Sequence, residues 1–212
     1  MKFHSILFDL DGTLTDSGEG IINCASLALA HFGLPVPDRQ AMRVFIGPPL
    51  KDTFFKFGVP EESLDEAVKV YRKEYVATGI YQNFPYPGIQ QLLENLKQDG
   101  CRLYVATSKP EHMAAHVLEH FGMDYYFDRI CGACTDGIRS NKDEVIAYLL
   151  ESIGSAENAV MVGDTKFDVI GAAAHGIPAI GVTWGYGLRE EMADAGAIAM
   201  ADTVEALYRL LS

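Results

Sequence analysis

Short apolar runs alternate with stretches of helical periodicity along most of the chain. Five runs are almost entirely apolar and stop at or just before Gly, Asp or Thr, a pattern typical of strands that are buried on both faces. They lie at 5–8, 101–107, 129–132, 159–163 and 178–182. Between and after them, apolar residues recur at helical spacing in 88–99, 111–121, 143–153, 165–175 and 203–211. The alternation predicts βα units around a mostly parallel sheet, which is an α/β fold.

One long segment interrupts this alternation after the first predicted strand. About ninety residues separate the first strand from the second, whereas a crossover between parallel strands needs only about a dozen. Apolar positions at helical spacing continue through this segment, and its clearest helix is predicted over 61–78. The segment therefore predicts a small helical domain inserted into the α/β fold.

Glycines and prolines mark the two ends of the inserted segment. Gly18 and Gly20 follow the first strand, and a Pro-Tyr-Pro-Gly run at 85–88 precedes the next helix. Because Gly permits and Pro restricts backbone conformations, both sites are suited to a hinge. We therefore predict a Rossmann-like core with three layers, formed by 1–16 and 85–212, and a small all-helical cap formed by 17–84.

Composition excludes several classes of partner. The chain carries 17 Lys and Arg against 29 Asp and Glu, and its formal charge of -12 would repel nucleic acid polymers and anionic membrane surfaces. No stretch has transmembrane length, and the first residues do not resemble a signal peptide, so we expect a cytoplasmic protein with no membrane partner. Four scattered cysteines do not form a disulfide framework, and the lone CxxC at 131–134 is expected in or beside a core strand.

Two aspartates follow the first predicted strand, one residue apart. Asp9 and Asp11 stand where that strand ends, directly before Gly12. Ligands of open α/β sheets lie beyond the carboxyl ends of the strands, and two carboxylates at that edge can hold a divalent cation. An ordinary turn or a helix N-cap is the alternative for these residues. Taken alone, the pair leaves both interpretations open.

A second acidic pair follows the fourth predicted strand. Asp164 comes directly after Gly163, and Asp168 lies four residues later on the same face of the predicted helix. The alternative for Asp164 is a cap of that helix. The spacing of the two carboxylates favours a metal site.

Four short motifs together resemble the haloacid dehalogenase-like hydrolases, the aspartate-nucleophile phosphatases that include the phosphoglycolate phosphatases. The motifs are DLDGT at 9–13, Thr107 with Ser108 after the second strand, Lys142 ahead of a helix, and GDTKFD at 163–168. Each motif is weak by itself, but all four stand at strand ends or helix starts in the order of that family. The resemblance extends over essentially the whole chain.

The resemblance implies a role for each aspartate of the first motif. Asp9 would be the nucleophile that accepts the phosphoryl group, and one of its oxygens would bind Mg²⁺. Asp11 would give its backbone carbonyl to the metal and its side chain to general acid and base catalysis. Related dehalogenases lack this second aspartate, so Asp11 argues for phosphoryl transfer.

The other three motifs would complete the site. Asp164 would bind Mg²⁺ through its side chain, and Asp168 would orient the ligands or act through water. Thr107 and Ser108 would bind the phosphoryl oxygens, and Lys142 would supply positive charge to the nucleophile and the transferred group. A solvated loop charge is the alternative for Lys142. The function implied is hydrolysis of a small phosphorylated metabolite through phospho-Asp9.

The substrate is less well defined than the reaction. Lys142 is followed by Asp143, where many phosphoglycolate phosphatases have proline, and Ser108 stands where they often have asparagine. These departures and the Ile-Gly-Pro-Pro turn at 46–49 resemble a 5′-nucleotidase-like branch more closely. Arg43 in the cap is a candidate contact for a substrate carboxylate or distal phosphate, with a solvated surface charge as its alternative. A mutase of the β-phosphoglucomutase type and a non-catalytic binding module are the alternative functions.

A loop after the last predicted strand also resembles one that is common in this family. It contains Trp184, Gly185, Tyr186 and Gly187. For Trp184 we expect packing near the rim of the pocket.

Overall fold

The computed structural model describes residues 1–134, 138–154 and 158–212. These residues divide into two compact units. The core unit consists of Met1–Thr15 and Pro85–Ser212, and the inserted unit consists of Asp16–Phe84.

The strands of the described residues form one large sheet and one small one. In chain order they are β1 (Ser5–Phe8), β2 (Thr15–Asp16), β3 (Phe84–Pro85), β4 (Arg102–Pro110), β5 (Arg129–Ala133), β6 (Ala159–Gly163), β7 (Ala179–Val182) and β8 (Ala199–Ala201). The large sheet has six strands in the order β5-β4-β1-β6-β7-β8, and β2 and β3 form a two-stranded sheet. Every pairing in the large sheet is parallel. The predicted α/β fold with a mostly parallel sheet is therefore confirmed.

Ten α-helices accompany the strands in the described part of the chain. They are α1 (Gly18–His31), α2 (Arg39–Met42), α3 (Leu50–Lys56), α4 (Leu64–Ala77), α5 (Ile89–Gln98), α6 (Glu111–His120), α7 (Lys142–Ile153), α8 (Lys166–Ala173), α9 (Arg189–Asp194) and α10 (Val204–Leu211). No helix among these residues is long and apolar enough to cross a membrane. The periodicity located each of the long helices, whereas α9 and β8 are short elements that it missed.

The core forms because the central strands are apolar on both faces. All side chains of β1 and β6 are buried, and helices supply the apolar partners that such strands need. On one face, Leu7 and Met161 pack with Ile146 and Leu149 of α7 and with Val169 of α8. Burying a side chain of this size contributes about 1.5–3 kcal/mol, so this layer fixes the positions of the strand ends.

The register of the sheet brings three strand ends together. Central strand β1 pairs with β4 on one side and β6 on the other, so that Phe8 lies beside Val105 and Val162. All three strands run in the same direction, and their carboxyl ends therefore meet at one edge of the sheet. The residues that follow, beginning with Asp9, form the candidate site.

The inserted unit has a small core of its own, in which α1 packs against α4. Phe45 and Phe54 are almost fully buried, with ring centroids 5.0 Å apart, and Tyr71 stacks on Tyr75 at 5.6 Å. At Gly20 a Cβ atom would collide with the carbonyl oxygen of Gly79. Glycine is therefore required there for the close approach of the two backbones.

Candidate active site

Asp9 and Lys142 form a buried ion pair at the carboxyl edge of the sheet. The Lys142 Nζ lies 2.8 Å from Asp9 Oδ1 and 2.7 Å from Asp168 Oδ1. It also donates a hydrogen bond to the carbonyl oxygen of Ala106, at 2.9 Å. Only 4% of the Lys142 side chain is exposed, so the alternative of a solvated loop charge is wrong. Lys142 thus links two carboxylates that are distant in sequence.

The start of α7 explains how Lys142 reaches this position. Asn141 and Glu144 form a capping box. The Asn141 side chain accepts the backbone N–H of Glu144, and the Glu144 side chain accepts the backbone N–H of Asn141. Glu144 accepts the Asn141 N–H at 3.0 Å. The box fixes the first turn of α7, and Lys142 is the first residue of that helix.

Asp168 is held by the first turn of α8. Its Oδ2 accepts hydrogen bonds from the Thr165 backbone N–H at 3.0 Å and from the Thr165 hydroxyl at 2.9 Å. Thr165, and not Asp164, is therefore the N-cap residue of this helix. At Gly163 a Cβ atom would overlap the Asp168 carboxylate, so the strand end before α8 requires glycine.

Asp164 is completely buried, and among the described residues each of its oxygens accepts one hydrogen bond. Oδ1 accepts the Thr13 hydroxyl at 3.2 Å, and Oδ2 accepts the Tyr186 backbone N–H at 2.8 Å. A carboxylate oxygen has two lone pairs, so each oxygen keeps one for a further partner. The orientation of Asp164 is fixed while its capacity to bind a cation is retained.

Asp9, Asp164 and Asp168, which we call the acidic cluster, each offer an oxygen within 4.8 Å of the others. Lys142 contacts two of these carboxylates, Asp9 and Asp168, so three buried acidic groups lie around one contacting ammonium group among the described residues. Such a set of hard oxygen donors with excess negative charge fits a divalent cation. The cluster could hold a metal ion.

The pKa values of Asp9, Asp164 and Lys142 are shifted by burial and by the excess of negative charge in the acidic cluster. Burial raises the pKa of Asp9 to about 6; Lys142 opposes the rise and the charge on Asp168 adds to it. Burial, together with the charges on Asp168 and Asp9, raises the pKa of Asp164 well above its usual value. Burial lowers the pKa of Lys142, but the two neighbouring carboxylates outweigh it and the pKa is raised. The ammonium group therefore stays charged, whereas the carboxylates repel one another.

Asp11 has a separate partner, Lys109, that the sequence did not reveal. Lys109 Nζ donates to Asp11 Oδ2 at 2.6 Å, and its side chain is only 5% exposed. The other oxygen, Asp11 Oδ1, is buried and accepts no hydrogen bond from the described residues. Two carboxylates one residue apart thus have different surroundings. In the sequence, Lys109 directly follows Thr107 and Ser108, and this position is the signal that points to it.

The remaining predicted site residues lie in two places. Thr107 is buried near the end of β4, where its hydroxyl accepts the Lys109 backbone N–H at 3.3 Å. Its hydrogen bond with Asp9 opposes, without reversing, the rise that burial causes in the Asp9 pKa. Ser108 is half-buried beside Thr107. Arg43 is exposed in a short 3₁₀ turn, Arg43–Phe45, of the inserted unit. Its role toward a substrate stays a prediction.

Trp184 is half-buried, as expected for a residue packing near the site. Its Nε1–H donates to the carbonyl oxygen of Thr13 at 3.1 Å, and its ring meets Tyr86 edge to face at 6.4 Å. The sequence did not predict this contact or the contacts of Thr13 and Tyr186 with Asp164. Pairings between loops after different strands leave no local pattern in a sequence.

Comparisons with known proteins agree with this arrangement. A family model described as haloacid dehalogenase-like hydrolase matches residues 6–182. A 5′-nucleotidase of Pseudomonas aeruginosa is 44% identical over 91% of this chain and 88% of its own. The tyrosine-protein kinase PtkA of Mycobacterium tuberculosis is 46% identical over 86% of this chain and 62% of its own. A crystal structure described as a predicted phosphatase from Clostridium acetobutylicum has a TM-score of 0.94 and 42% identity, and covers 99% of this chain and 98% of its own. Because the family match spans most of the sequence and agrees with the placement of the acidic residues, this chain belongs to the haloacid dehalogenase-like hydrolase family.

Proposed function

We propose that this chain is a Mg²⁺-dependent phosphatase that hydrolyses a small phosphomonoester through a phosphoryl group carried on Asp9. The observation that carries the proposal is the separation of the two neighbouring aspartates. Asp9 belongs to the acidic cluster, beside Lys142, whereas Asp11 is paired with Lys109. A two-step phosphoryl transfer needs one carboxylate as nucleophile and a different one for proton transfer.

The acidic cluster suits Mg²⁺, which prefers hard oxygen ligands. Asp9 and Asp164 would bind the ion through their side chains, and Asp11 would bind it through its backbone carbonyl. Asp168 would orient these groups or act through water. When bound, the ion would screen the negative oxygens of the phosphate from the incoming carboxylate.

The side chains of the first motif would carry out the two chemical steps. A carboxylate oxygen of Asp9 attacks phosphorus, the bond from phosphorus to the ester oxygen breaks, and Asp11 gives its proton to that oxygen. Asp11 then takes a proton from a water molecule, which attacks phosphorus and releases inorganic phosphate and free Asp9. Proton transfer by a positioned group of this kind contributes typically about 10²–10⁴-fold.

The surrounding cations and hydroxyl groups would hold the reacting groups. Lys142 keeps its charge and contacts Asp9, so it can stabilise the carboxylate before attack and the negative oxygens during transfer. Thr107 and Ser108, at the end of β4, would donate hydrogen bonds to the phosphoryl oxygens. Each of these groups lies in the core unit.

For the substrate we propose a nucleoside 5′-monophosphate. The support is the relative named 5′-nucleotidase, which aligns with this chain over most of both proteins. The departures at Ser108 and Asp143 from the phosphoglycolate phosphatase pattern point the same way. Arg43 of the inserted unit is the proposed contact for the part of the substrate beyond the phosphate.

A panel of phosphate esters tests this function. With Mg²⁺ we expect release of inorganic phosphate, and a kcat/KM for nucleoside monophosphates about tenfold or more above that for phosphoglycolate and sugar phosphates, because this ratio measures differential binding in the transition state. EDTA should stop the reaction and added Mg²⁺ should restore it. Preference for phosphoglycolate would overturn the substrate, and no phosphate release from any ester would overturn the function.

Mg²⁺ should also stabilise the protein. A ligand at about 100 times its Kd adds about 2.7 kcal/mol, which corresponds to roughly 5–10 °C in Tm for a chain of this size. In Asp164→Asn we expect this shift to disappear. The Asn side chain can still accept the Tyr186 N–H, and its amide can donate to the Thr13 hydroxyl, so the fold should persist. Thermal unfolding with and without Mg²⁺ measures both effects.

The exposed residue Asp194, at the end of α9, provides the control. Asp194→Asn changes the net charge by the same amount but lies outside the acidic cluster, and its Mg²⁺-dependent shift should equal that of the unmodified protein. An unchanged shift in Asp164→Asn would show that the ion binds elsewhere.

A further inference from the structure

The loop that follows β7 packs directly on Asp164. A Cβ atom at Gly185 would overlap the Asp164 side chain and the carbonyl oxygen of Gly12, and one at Gly187 would overlap the Asp164 backbone. Tyr186, between these glycines, donates its N–H to Asp164 Oδ2. The loop therefore covers one side of this carboxylate, and two of its residues must be glycine for it to come so close.

Trp184 joins this loop to the turn after β1. Its indole N–H donates to the carbonyl oxygen of Thr13, and the hydroxyl of the same threonine donates to Asp164 Oδ1. Thr13 thus stands between the indole and the carboxylate. The turn is compact, since the Gly12 N–H donates to the Thr15 carbonyl at 2.8 Å, and it also contains the Asp11 carbonyl.

We propose that Trp184 is a positioning residue for the metal site and acts on Asp164 through Thr13. Both donors to Asp164 depend on the 184–187 loop: Tyr186 belongs to it, and Thr13 is tied to it by the indole. Loss of the indole N–H would remove the donor to the Thr13 carbonyl oxygen and loosen the orientation of Asp164 Oδ1. The inference rests on the proposed Mg²⁺ site, which it extends by a residue that acts on a metal ligand through Thr13.

The chain offers an optical readout because it contains one tryptophan. The indole is linked by two hydrogen bonds to Asp164, so occupation of the site should change its emission. We expect Mg²⁺ to change the fluorescence of the unmodified protein in a saturable way, and to leave that of Asp164→Asn unchanged. An unmodified protein whose Tm rises with Mg²⁺ but whose emission stays constant would contradict the coupling of Trp184 to the site.

Trp184→Phe tests the positioning role. Phenylalanine keeps an aromatic ring but has no N–H donor, and we expect the Mg²⁺ concentration for half-maximal thermal stabilisation to rise about tenfold, the lower end of the range for groups that orient metal ligands. A purely structural role would instead lower Tm equally with and without Mg²⁺. Equal Mg²⁺ dependence in the variant and the unmodified protein would overturn the proposal.

Tyr208→Phe is the matched control. Tyr208 is a half-buried aromatic residue on α10, and its hydroxyl donates one hydrogen bond to Asp99 at 2.7 Å. The substitution likewise removes the hydrogen bonding of an aromatic side chain, here with Asp99 and Ser212, but Asp99 follows α5, ahead of β4, at the edge of the sheet opposite the acidic cluster. Its Mg²⁺ dependence should not change.

A double-mutant cycle tests the route through Thr13. Thr13→Val removes the hydroxyl and should weaken Mg²⁺ binding at least as much as Trp184→Phe. If Trp184 acts through Thr13, the double variant should bind Mg²⁺ no more weakly than the single variant that binds it less tightly. Independent losses of Mg²⁺ affinity would instead multiply. Multiplying effects would overturn the route. If Trp184→Phe fails to fold, the fluorescence titration still decides the proposal.

The same measurements separate this inference from the proposed function. If Mg²⁺ fails to stabilise the unmodified protein, the metal site of the proposed function is wrong. If Mg²⁺ stabilises the unmodified protein and the Trp184→Phe variant with the same concentration dependence, only the role of Trp184 is wrong.

Discussion

Asp9→Asn is expected to lower kcat for phosphate release by about 10⁴-fold or more, the size of effect seen when a covalent nucleophile is removed. An amide is a far weaker nucleophile than a carboxylate, and it has nearly the same size and shape. Initial rates of phosphate release with saturating Mg²⁺ measure the loss. The Asp194→Asn variant, prepared in the same way, should keep full activity. Undiminished Mg²⁺-dependent turnover in Asp9→Asn would remove Asp9 from the nucleophile's role.

The same variant should be more stable than the unmodified protein when metal is absent. Because the folded protein raises the Asp9 pKa from 3.8 to about 6, it binds this proton more tightly than the unfolded chain does. The contribution of this proton to the free energy of unfolding is fully present below pH 3.8 and is lost as pH rises through about 6. The ionised carboxylate therefore costs about 3 kcal/mol at neutral pH, at about 1.4 kcal/mol for each pKa unit.

Thermal unfolding of the metal-free protein at two pH values tests whether the ionised Asp9 carboxylate lowers the free energy of unfolding. Asp9→Asn removes the charge, so its Tm near pH 7.5 should exceed that of the unmodified protein by several degrees, at roughly 2–4 °C per kcal/mol. The difference should shrink as pH falls toward 4. A lower Tm for Asp9→Asn near pH 7.5 would mean that contacts of the charged form, above all with Lys142, outweigh the cost of burial.

Asp11→Asn is expected to lower turnover of alkyl phosphates by about 10²–10⁴-fold, through loss of proton transfer. The first step depends on this group only when the leaving oxygen needs a proton. With p-nitrophenyl phosphate, whose leaving group departs without one, we expect Asp9 to be phosphorylated and the water step to be slow. A burst of about one p-nitrophenolate per protein, followed by slow turnover, should then be observed.

Two further variants separate chemistry from folding. The burst should be absent in Asp11→Asn that also carries Asp9→Asn, because no nucleophile remains. Asp11→Asn also leaves the buried Lys109 ammonium without its carboxylate, which costs stability. Adding Lys109→Met should recover Tm but not turnover. If Asp11→Asn hydrolyses alkyl phosphates at the normal rate, Asp11 is not the acid and base.

Much of the fold could be predicted because its signals are local. The long helices and the five main strands follow from the spacing of apolar residues, and that spacing depends only on helix and strand geometry. Among the elements missed, α9 and β8 have six and three residues, and β2 and β3 have two each. A segment that short gives too few apolar positions to define a period.

The candidate site could be predicted in part. The places of Asp9, Asp11 and Asp164 at strand ends, the place of Asp168 one helical turn after Asp164, and the family resemblance together predict these residues. For Lys142 the sequence leaves the solvated alternative open, since a lysine ahead of a helix has no local feature that separates a buried ion pair from a surface charge. Lys109 was missed for the same reason.

The sequence by itself determined the α/β class, the inserted unit and the acidic residues of the site, because periodicity, turn chemistry and residue type are properties of neighbouring positions. Only the tertiary structure decided the partners of those residues. Placing β1 between β4 and β6 pairs Asp11 with Lys109 and sets Lys142 between Asp9 and Asp168. Strand order and loop packing minimise a free energy that depends on the whole chain, and contacts between residues about a hundred positions apart are decided there.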